Sequence, residues 1–411
     1  MNKLIYIILD GASDGIEFSM TSFDVANKPN LDTIAKSAKG GLVYPIEKGI
    51  APESDAATLS MLGYNPKEIK AARGVLEALG AGLDFEDGDL ALRGNFATIQ
   101  GSEVIDRRAG RDLTDEEAKM LVEEIKNSLS SVKGHRYELK HTIGHRCVLL
   151  IKKTNAPLSS RITNLDPAYV RIGDVVHALA EPKKQLEPVM PLDDDAREAA
   201  DLVNAFFSES RAILERSPIN ARRKSLGKLV ANAILLRDAG SNFPKVQSFK
   251  ERFGLEPICI ADMPVELGIA KLLGMGYIWS RGLSYEEKAN LAIESLANHS
   301  FVFVHIKGAD ERGHDGDFEG KVKAIEIIDR DFFGTLLKKV SLEKVSILVT
   351  CDHSTPPKLK AHSDSPVPFI FYKHNMKSDG FNKFSERECS KGMFGILEHG
   401  YLLLEKVLKV T

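Results

Sequence analysis

The chain has 411 residues, of which 43% are hydrophobic and 27% are charged, and its formal net charge is −3 at pH 7. This composition is ordinary for a soluble globular protein, and the small negative charge gives no general attraction to nucleic acid or to an anionic membrane. At roughly 150 residues per domain, the length favours two domains.

The first apolar run and the cysteines bear on the location of the protein. Leu4 to Leu9 is ended by Asp10, so this run is too short for a membrane span, and it lacks a cleavage site of small residues. The four cysteines lie far apart without a C-x-x-C pair, which is typical of a reduced protein. We therefore expect a cytoplasmic protein with neither a nucleic-acid nor a membrane partner.

The N-terminal region predicts alternating strands and helices. The expected elements are a strand at residues 4–9, a helix at 29–36 stopped by Gly40-Gly41, a strand at 42–45 and a helix at 56–62. Ser54 or Asp55 stands where the N-cap of the last helix belongs, and Gly63 stands where a C′ glycine belongs.

From about Leu83 the pattern changes. The expected elements are strands at residues 90–99, 137–141 and 145–152, and helices at 114–129 and 196–215. Thr114, followed three residues later by Glu117, forms a capping box for the first of these helices. Because strands and helices do not alternate regularly here, we predict an α+β unit.

The α/β pattern returns at Pro257. The expected elements are strands at residues 258–260, 301–306, 345–350 and 369–372, and helices at 265–273, 285–298, 318–339 and 395–408. Near-continuous apolar strands predict a mainly parallel sheet that is buried on both faces. We therefore predict one α/β domain formed by residues 1–80 and 250–411, interrupted by an inserted α+β domain at residues 81–249, with hinges near residues 80 and 250.

Three of the predicted strands run into aspartate and histidine. These residues are Asp10 after the first strand, Asp310 and His314 after the strand at 301–306, and Asp352, His353 and His362 after the strand at 345–350. Ligands of open α/β sheets bind beyond the carboxyl ends of the strands, so we expect these side chains to meet at one edge. Carboxylate and imidazole together suit two ions of Mn, Zn, Co or Fe better than Ca.

Ser54 is the best candidate for a nucleophile. It precedes a predicted helix, whose free amides and dipole favour an anionic alkoxide or a bound phosphate. A serine in this position is also commonly nothing more than an N-cap. No G-x-S-x-G motif is present, so a histidine-based hydrolase triad is not supported, and a metal ion would have to lower the pKa of the serine.

The predicted insert is rich in arginine, a residue whose forked donors suit carboxylate and phosphate. Its cations include Arg93, Arg107, Arg108, Arg111, His145, Arg146, Arg222, Arg223, Lys224 and Arg237. For Arg222, Arg223 and Lys224 we prefer a solvated basic face. Without aromatic residues interleaved in the cluster, RNA binding is the weaker interpretation. Neither G-x-x-x-x-G-K-[ST] nor a G-x-G-x-x-G after a strand supports nucleotide binding.

These motifs together resemble a known family, the 2,3-bisphosphoglycerate-independent phosphoglycerate mutases of archaeal type, within the alkaline phosphatase superfamily. The resemblance spans nearly the whole chain, and it is carried by Asp10-Gly11, residues 52–57, residues 310–317, residues 352–356 and His362-Ser363, with residues 93–98, 106–111 and 232–237 in the insert. It implies an alkaline-phosphatase-like core whose insert holds the glycerate carboxylate and closes over the metals.

The resemblance also implies roles for individual residues. One divalent metal would be bound by Asp310, His314 and His362, and the other by Asp10, Asp352, His353 and the oxygen of Ser54, which would accept the phosphate. We expect Mn first, with Mg, Co or Zn as alternatives. Substrate binding is assigned to Asn95, Arg107, Arg108, Arg111, His145, Arg237 and Lys307. Family members usually carry glycine after the arginine that matches Arg237, whereas this chain has Asp238, whose carboxylate is expected to weaken or to orient the contact of that arginine with substrate.

The implied reaction is the interconversion of 3-phosphoglycerate and 2-phosphoglycerate through a phosphoserine. A metal-dependent phosphatase, or another phosphotransferase on the same core, would use the same metal ligands, because a fold does not fix a substrate. A phosphate-ester binding protein without turnover is a third hypothesis, although such a protein would be expected to have lost a ligand.

Overall fold

The computed structural model of the protein describes residues 3–173, 175–179 and 181–410. The chain forms two compact units, one of Met1–Ile69 with Val246–Thr411 and one of Lys70–Lys245. The sequence prediction divided the chain at 80/81 and 249/250 instead. Within the described residues, no helix combines the length and the apolar character needed to cross a membrane.

The described residues form the following elements. The strands are β1 (Lys3–Leu9), β2 (Lys39–Val43), β3 (Leu90–Gln100), β4 (Glu103–Asp106), β5 (Tyr137–His141), β6 (Arg146–Ile151), β7 (Tyr169–Ile172), β8 (Val175–Ala178), β9 (Ala233–Gly240), β10 (Pro257–Ala261), β11 (Gly276–Trp279), β12 (Phe301–Ile306), β13 (Val345–Thr350), β14 (Val367–Tyr372) and β15 (Ile396–Leu397). The helices are α1 (Ser22–Val25), α2 (Pro29–Lys36), α3 (Ser54–Met61), α4 (Pro66–Ile69), α5 (Arg73–Gly80), α6 (Asp115–Ser128), α7 (Arg197–Leu214), α8 (Pro218–Ser225), α9 (Phe249–Phe253), α10 (Pro264–Leu272), α11 (Tyr285–Ser295), α12 (Asp310–Asp315), α13 (Phe318–Ile328), α14 (Gly334–Lys339), α15 (Glu386–Cys389) and α16 (Leu403–Leu408).

The first unit is built on an eight-stranded sheet in the order β11-β10-β12-β1-β13-β14-β2-β15. The strands from β11 to β13 are parallel, whereas β14 is antiparallel to both of its neighbours. Every residue of β12 and β13 is buried, as expected for strands covered on both faces. This confirms the predicted α/β core with a mainly parallel central sheet.

Two predicted helix ends in the first unit were wrong. Gly40 and Gly41 do not stop a helix but lie within β2. Glycine is needed at position 40 because a Cβ atom there would come within 2.5 Å of the carbonyl oxygen of Phe369 on β14. The predicted helix at 395–408 begins only at Leu403. The residues before it extend the sheet, since the amide of Leu42 donates to the carbonyl of Gly395 at 2.8 Å.

The second unit is centred on β3, which pairs antiparallel with β4, β6 and β9, while β5 pairs with β6. Helices α6 and α7 contribute to the larger apolar core of this unit. Helix α5 contributes Val75, Ala78 and Leu79 to a smaller core with Ala91 and Val148. The capping box of Thr114 and Glu117 is confirmed.

Candidate metal centre and arginine cluster

The register of the parallel strands aligns the carboxyl ends of β12, β1 and β13. Leu9 is opposite Ile306 and Ile8 is opposite Thr350, so the loops that follow these strands leave the sheet side by side. Two groups of carboxylate and imidazole atoms result, and the atoms within each group lie within 4.8 Å of one another: Asp310, His353 and His362, and Asp10, Asp352 and His353.

The first group also includes His314, which lies one helical turn after Asp310 on α12. Its Nε2 atom is 3.6 Å from Asp310 Oδ2 and 3.1 Å from His362 Nε2. The Nδ1 atoms of the two imidazoles face carbonyl oxygens, Lys360 for His314 at 3.2 Å and Pro52 for His362 at 2.7 Å. Because a carbonyl only accepts, these contacts favour the tautomers that carry the hydrogen on Nδ1 and direct the two Nε2 atoms at each other. Two Nε2 atoms that converge in this way suit a shared metal ion or a shared proton.

The second group surrounds Nε2 of His353. This atom is 3.4 Å from Asp10 Oδ1, 3.5 Å from Asp352 Oδ2 and 3.3 Å from Ser54 Oγ. The hydroxyl of Thr355 donates to Asp310 at 2.7 Å and lies 2.9 Å from Nδ1 of His353, which orients the ring. Asp10 Oδ1 is buried and has no hydrogen-bond partner among the described residues. An orphaned buried acceptor of this kind fits a metal ion.

Gly11 allows the first and second groups to approach each other. Its φ of +55° is left-handed, and a Cβ atom there would lie 2.5 Å from Asp310 Oδ1. The amide of Gly11 donates to Asp352 Oδ1 at 3.0 Å, which leaves Oδ2 directed at His353. Glycine is therefore required by both the backbone conformation and the space.

Ser54 is the first residue of α3, and the N-cap is Glu53, so the predicted N-cap at Ser54 or Asp55 was wrong. The hydroxyl of Ser54 faces His353 instead, at the end of the helix where free amides favour an anion. The helix thus presents the serine oxygen to the second group.

The two groups favour positive charge. Burial alone would raise the pKa of Asp10, but Lys307, His353 and His305 outweigh it and hold this pKa well below the usual range. Burial likewise opposes ionisation of Asp310, yet its histidine neighbours lower its pKa to about 2. Burial disfavours the charged form of His353, but the surrounding carboxylates raise its pKa. A site that attracts protons onto imidazole in this way also attracts divalent cations.

The second unit contains a separate cluster of arginines. The pairing of β3 with β9 places Arg93 opposite Arg237. Asp166 receives two hydrogen bonds from Arg107, at 2.8 and 2.6 Å, and one from Arg237 at 3.0 Å. Both of these arginines also lie over the ring of Tyr169, at 5.1 and 4.6 Å from its centroid. The cluster is therefore built around one buried carboxylate and one aromatic ring.

Comparison with known proteins assigns the chain to a family. The family model for 2,3-bisphosphoglycerate-independent phosphoglycerate mutase matches residues 35–220. The enzyme of that name from Aeropyrum pernix is 43% identical in an alignment 429 residues long, which covers 99% of each chain. The chain belongs to this family. The Methanopyrus kandleri member is 35% identical over 98% of this chain and 94% of its own.

Two solved structures are similar over the whole length. The cofactor-independent phosphoglycerate mutase from Thermoplasma acidophilum has a TM-score of 0.67 and 30% identity, and 100% of both chains is covered. A protein from Pyrococcus horikoshii has a TM-score of 0.81 and 29% identity, covering 99% of this chain and 96% of its own.

The other substrate residues that the resemblance predicted in the second unit lie near this arginine cluster. The Asn95 amide donates to the carbonyl of Arg107 at 3.4 Å. Arg108 is half-buried, and burial together with Arg111 lowers its pKa, while Arg111 itself is exposed. Burial and neighbouring arginines lower the pKa of His145 to about 3.

Lys307 is the predicted substrate residue that lies in the first unit. Its Nζ atom is 2.8 Å from Asp10 Oδ2 and 3.3 Å from Glu266 Oε1. It is therefore a neighbour of the second ligand group.

The expected solvated face at residues 222–224 was wrong for Arg223, whose side chain is fully buried on α8. It donates to Asp112 at 2.6 Å, Glu117 at 2.7 Å and the carbonyls of Leu229 at 2.8 Å and Ala109 at 3.3 Å. Arg223 thus anchors the loop that carries Arg107, Arg108 and Arg111. No local sequence signal distinguishes it from Arg222, which is exposed.

Asp238, at the position where the resemblance to the mutase family predicts a glycine, has a left-handed φ of +58°. Its Oδ2 atom is 3.5 Å from Nε of Arg237 and 3.9 Å from Nη1 of Arg93. Glycine adopts this conformation without cost, and aspartate tolerates it. The substitution therefore adds a carboxylate beside two arginines of the cluster.

Proposed function

We propose that the protein converts 3-phosphoglycerate to 2-phosphoglycerate and back, as an isomerase that passes the phosphoryl group through Ser54 and needs no 2,3-bisphosphoglycerate. Relatives that carry the name of this enzyme over almost the whole chain support the reaction. The observation that carries the proposal is the position of Ser54 Oγ, which is 3.3 Å from His353 Nε2 at the start of a helix and beside two ligand groups.

We assign two divalent metals to these groups. Asp310, His314 and His362 would bind one, and Asp10, Asp352, His353 and Ser54 Oγ the other. Mn is our first choice, with Mg, Co or Zn as alternatives, because the donors are carboxylate and imidazole. When bound, the ions would lower the pKa of the serine and neutralise the phosphoryl oxygens. The orphaned Asp10 Oδ1 and the convergent imidazole nitrogens support this assignment.

The transfer takes place in two mirrored steps. Ser54 Oγ attacks phosphorus in line, the bond from phosphorus to the glycerate oxygen breaks, and phosphoserine forms. The serine loses one proton and the departing oxygen gains one. The glycerate then turns, and its other hydroxyl loses a proton and attacks phosphorus. The bond from phosphorus to Ser54 Oγ breaks, and the serine oxygen gains a proton. Water competes for the phosphoserine, so the site must exclude it during the exchange.

We assign recognition of the glycerate carboxylate to the arginine cluster of the second unit. The Nε atoms of Arg93 and Arg237 are buried and make no hydrogen bond of good geometry within the described residues, although Glu77 Oε1 lies 3.2 Å from the first and Asp238 Oδ2 lies 3.5 Å from the second. Buried guanidinium groups whose donors are not fully used are suited to an anionic ligand. The other predicted members of this site are Asn95, Arg107, Arg108, Arg111 and His145, and Lys307 stays a predicted contact from the first unit.

We also propose that the protein acts in the cytoplasm on this small substrate and without a nucleic-acid partner. The four cysteines are free and buried, which agrees with a reducing compartment.

The test is a coupled assay. Purified protein is stripped with chelator, reloaded with Mn²⁺ and given 3-phosphoglycerate, with enolase reporting 2-phosphoglycerate and released phosphate measured in the same tube. Ser54→Ala is the matched variant. We expect isomerisation without free phosphate, abolished in Ser54→Ala. A phosphorylated peptide containing Ser54, isolated after acid quench, would support the intermediate directly.

The other outcomes separate the alternatives. Release of phosphate without isomerisation would refute the mutase and indicate a phosphatase. Binding of phosphoglycerate with neither product would indicate a binding protein. Isomerisation that persists at full rate in Ser54→Ala would refute the phosphoserine.

A further inference from the structure

Glu266 is a buried carboxylate that the proposed reaction does not use. It lies on α10, where seven of its neighbours on the helix are also buried, and only 1% of its surface is exposed. Neither Oε1 nor Oε2 accepts a hydrogen bond from the described residues. A carboxylate that served only to support the fold would be expected to accept hydrogen bonds, because burying it without them is costly.

The neighbours of Glu266 are two cations or potential cations on β12 and just after it. Its Oε1 atom is 3.3 Å from Nζ of Lys307 and 3.8 Å from Nδ1 of His305. His305 is fully buried, and its Nδ1 also lacks a hydrogen-bond partner within the described residues. The two side chains therefore have Glu266 in common.

Each of these two side chains continues to a predicted metal ligand. Lys307 Nζ is 2.8 Å from Asp10 Oδ2. His305 Nε2 is 3.2 Å from Asp352 Oδ2. Glu266 thus reaches both carboxylates of the second ligand group through one intervening side chain each. Lys307 lies between Glu266 and Asp10, and His305 lies between Glu266 and Asp352.

The electrostatics of a loaded site explain why a carboxylate is needed there. A divalent ion between Asp10 and Asp352 would repel the ammonium of Lys307, and it would compete with Lys307 for Asp10. Of the three carboxylates that Lys307 and His305 contact, which are Asp10, Asp352 and Glu266, only Glu266 is outside the predicted ligand set, so its charge would remain free to retain Lys307. Side chains one step behind metal ligands commonly set ligand orientation in this way.

We propose that Glu266 is a positioning residue for the second metal, holding Lys307 and His305 and, through them, Asp10 and Asp352. The inference rests on the metal sites of the proposed function. It predicts that loss of the Glu266 charge weakens the binding of one metal and leaves the other unchanged.

The experiment measures metal affinity by calorimetry and not by activity. Mn²⁺ is titrated into chelator-stripped full-length protein, wild type and Glu266→Gln, which keeps the shape of the side chain. The expected result is that the dissociation constant of one site rises about 10- to 100-fold, the range for residues behind metal ligands, while that of the other changes less than about threefold.

Asp329→Asn is the matched control. Asp329 is also a buried carboxylate of the first unit, but it accepts hydrogen bonds from Asn30 and Leu31 and contacts no predicted ligand. This variant is expected to lower the melting temperature and to leave both Mn²⁺ dissociation constants unchanged. It separates the loss of a buried charge in general from the role of Glu266.

A double-mutant cycle with Lys307→Met tests the route of the effect. If Glu266 acts through Lys307, removing Glu266 has little further effect once Lys307 is gone. The Mn²⁺ dissociation constants of the double variant are then within about threefold of those of Lys307→Met. Equal weakening of both sites in Glu266→Gln, or no weakening, would overturn the inference. Wild-type protein that binds no Mn²⁺ would instead refute the metal sites of the proposed function.

Discussion

Replacing Arg223 with methionine is the sharpest test of how the arginine-bearing loop is held. Methionine fills the space of the aliphatic stem but removes every donor of the guanidinium. Two charged pairs are lost, with Asp112 at 2.6 Å and Glu117 at 2.7 Å, and two hydrogen bonds to the carbonyls of Leu229 and Ala109.

The magnitude follows from the exposure of the partners. The Asp112 side chain is 42% exposed and the Glu117 side chain 25%, so each lost pair is discounted to about 1 kcal/mol. Each carbonyl left without its donor adds about 0.5–1.5 kcal/mol. The sum is about 3–5 kcal/mol, which agrees with the range for breaking a buried ion pair.

The assay is urea denaturation followed by circular dichroism, with Arg222→Met as control. Arg222 precedes Arg223 on the same helix and is exposed, so its replacement is expected to change the free energy of unfolding by less than about 0.5 kcal/mol. We also expect Arg223→Met to raise KM for phosphoglycerate, because Ala109 and Arg111 hold left-handed φ values of 46° and 59° only while the loop is anchored. A loss in Arg223→Met that matched the Arg222→Met value would refute the anchoring role.

Three further predictions follow from single residues. Asp238→Gly is expected to raise the free energy of unfolding by about 1 kcal/mol, because it relieves the left-handed φ of 58°, and to lower KM, because it removes a carboxylate 3.5 Å from Arg237. Asp238→Asn should lower KM without the gain in stability. An unchanged KM in both variants would refute the charge effect. The pKa of His145 in the folded state is about 3, below the usual unfolded value of about 6.5, so the unfolded state binds the extra proton and stability should fall as pH drops between these two values. His145→Gln should flatten this slope of stability against pH in acid-denaturation curves. An unchanged slope in the variant would contradict the burial of His145. Gly11→Ala should weaken Mn²⁺ binding at least tenfold in calorimetry, because its Cβ atom would lie 2.5 Å from Asp310 Oδ1, and retained affinity would show that the loop can shift.

The sequence was most informative where local pattern and function coincide. Asp10, Asp310 and Asp352 each follow a run of apolar residues, and parallel pairing brings the ends of such runs together whatever lies between them. The grouping of these carboxylates at one edge of the sheet was therefore predictable from the sequence, and their role as metal ligands stays a prediction. The sequence placed Ser54 correctly at the start of α3 but assigned the N-cap to Ser54 or Asp55, whereas the N-cap is Glu53. The choice among adjacent cap positions depends on backbone angles.

The sequence was least informative where a contact joins distant segments. Arg223 contacts Asp112 and Glu117, which lie more than a hundred residues earlier, and an eight-residue helix gives too few turns to mark a buried face. His305 is a polar residue in an otherwise apolar strand, but no nearby sequence pattern indicated that Glu266 on α10 is its neighbour. Tertiary pairing of this kind has no local signature.

The position of β1 in the middle of the eight-stranded sheet has a consequence for biosynthesis. Its two partners, β12 and β13, begin 298 and 342 residues after the start of β1, so the central strand emerges from the ribosome long before either neighbour exists. At about 5–20 residues per second, the apolar strand would remain unpaired for about 15–60 s. The segment Lys70–Lys245 is contiguous, with antiparallel pairing in its main sheet, and it can be completed within that interval. Nascent chains of this protein are therefore expected to depend on chaperones that shield β1, and to aggregate when translation pauses before residue 345.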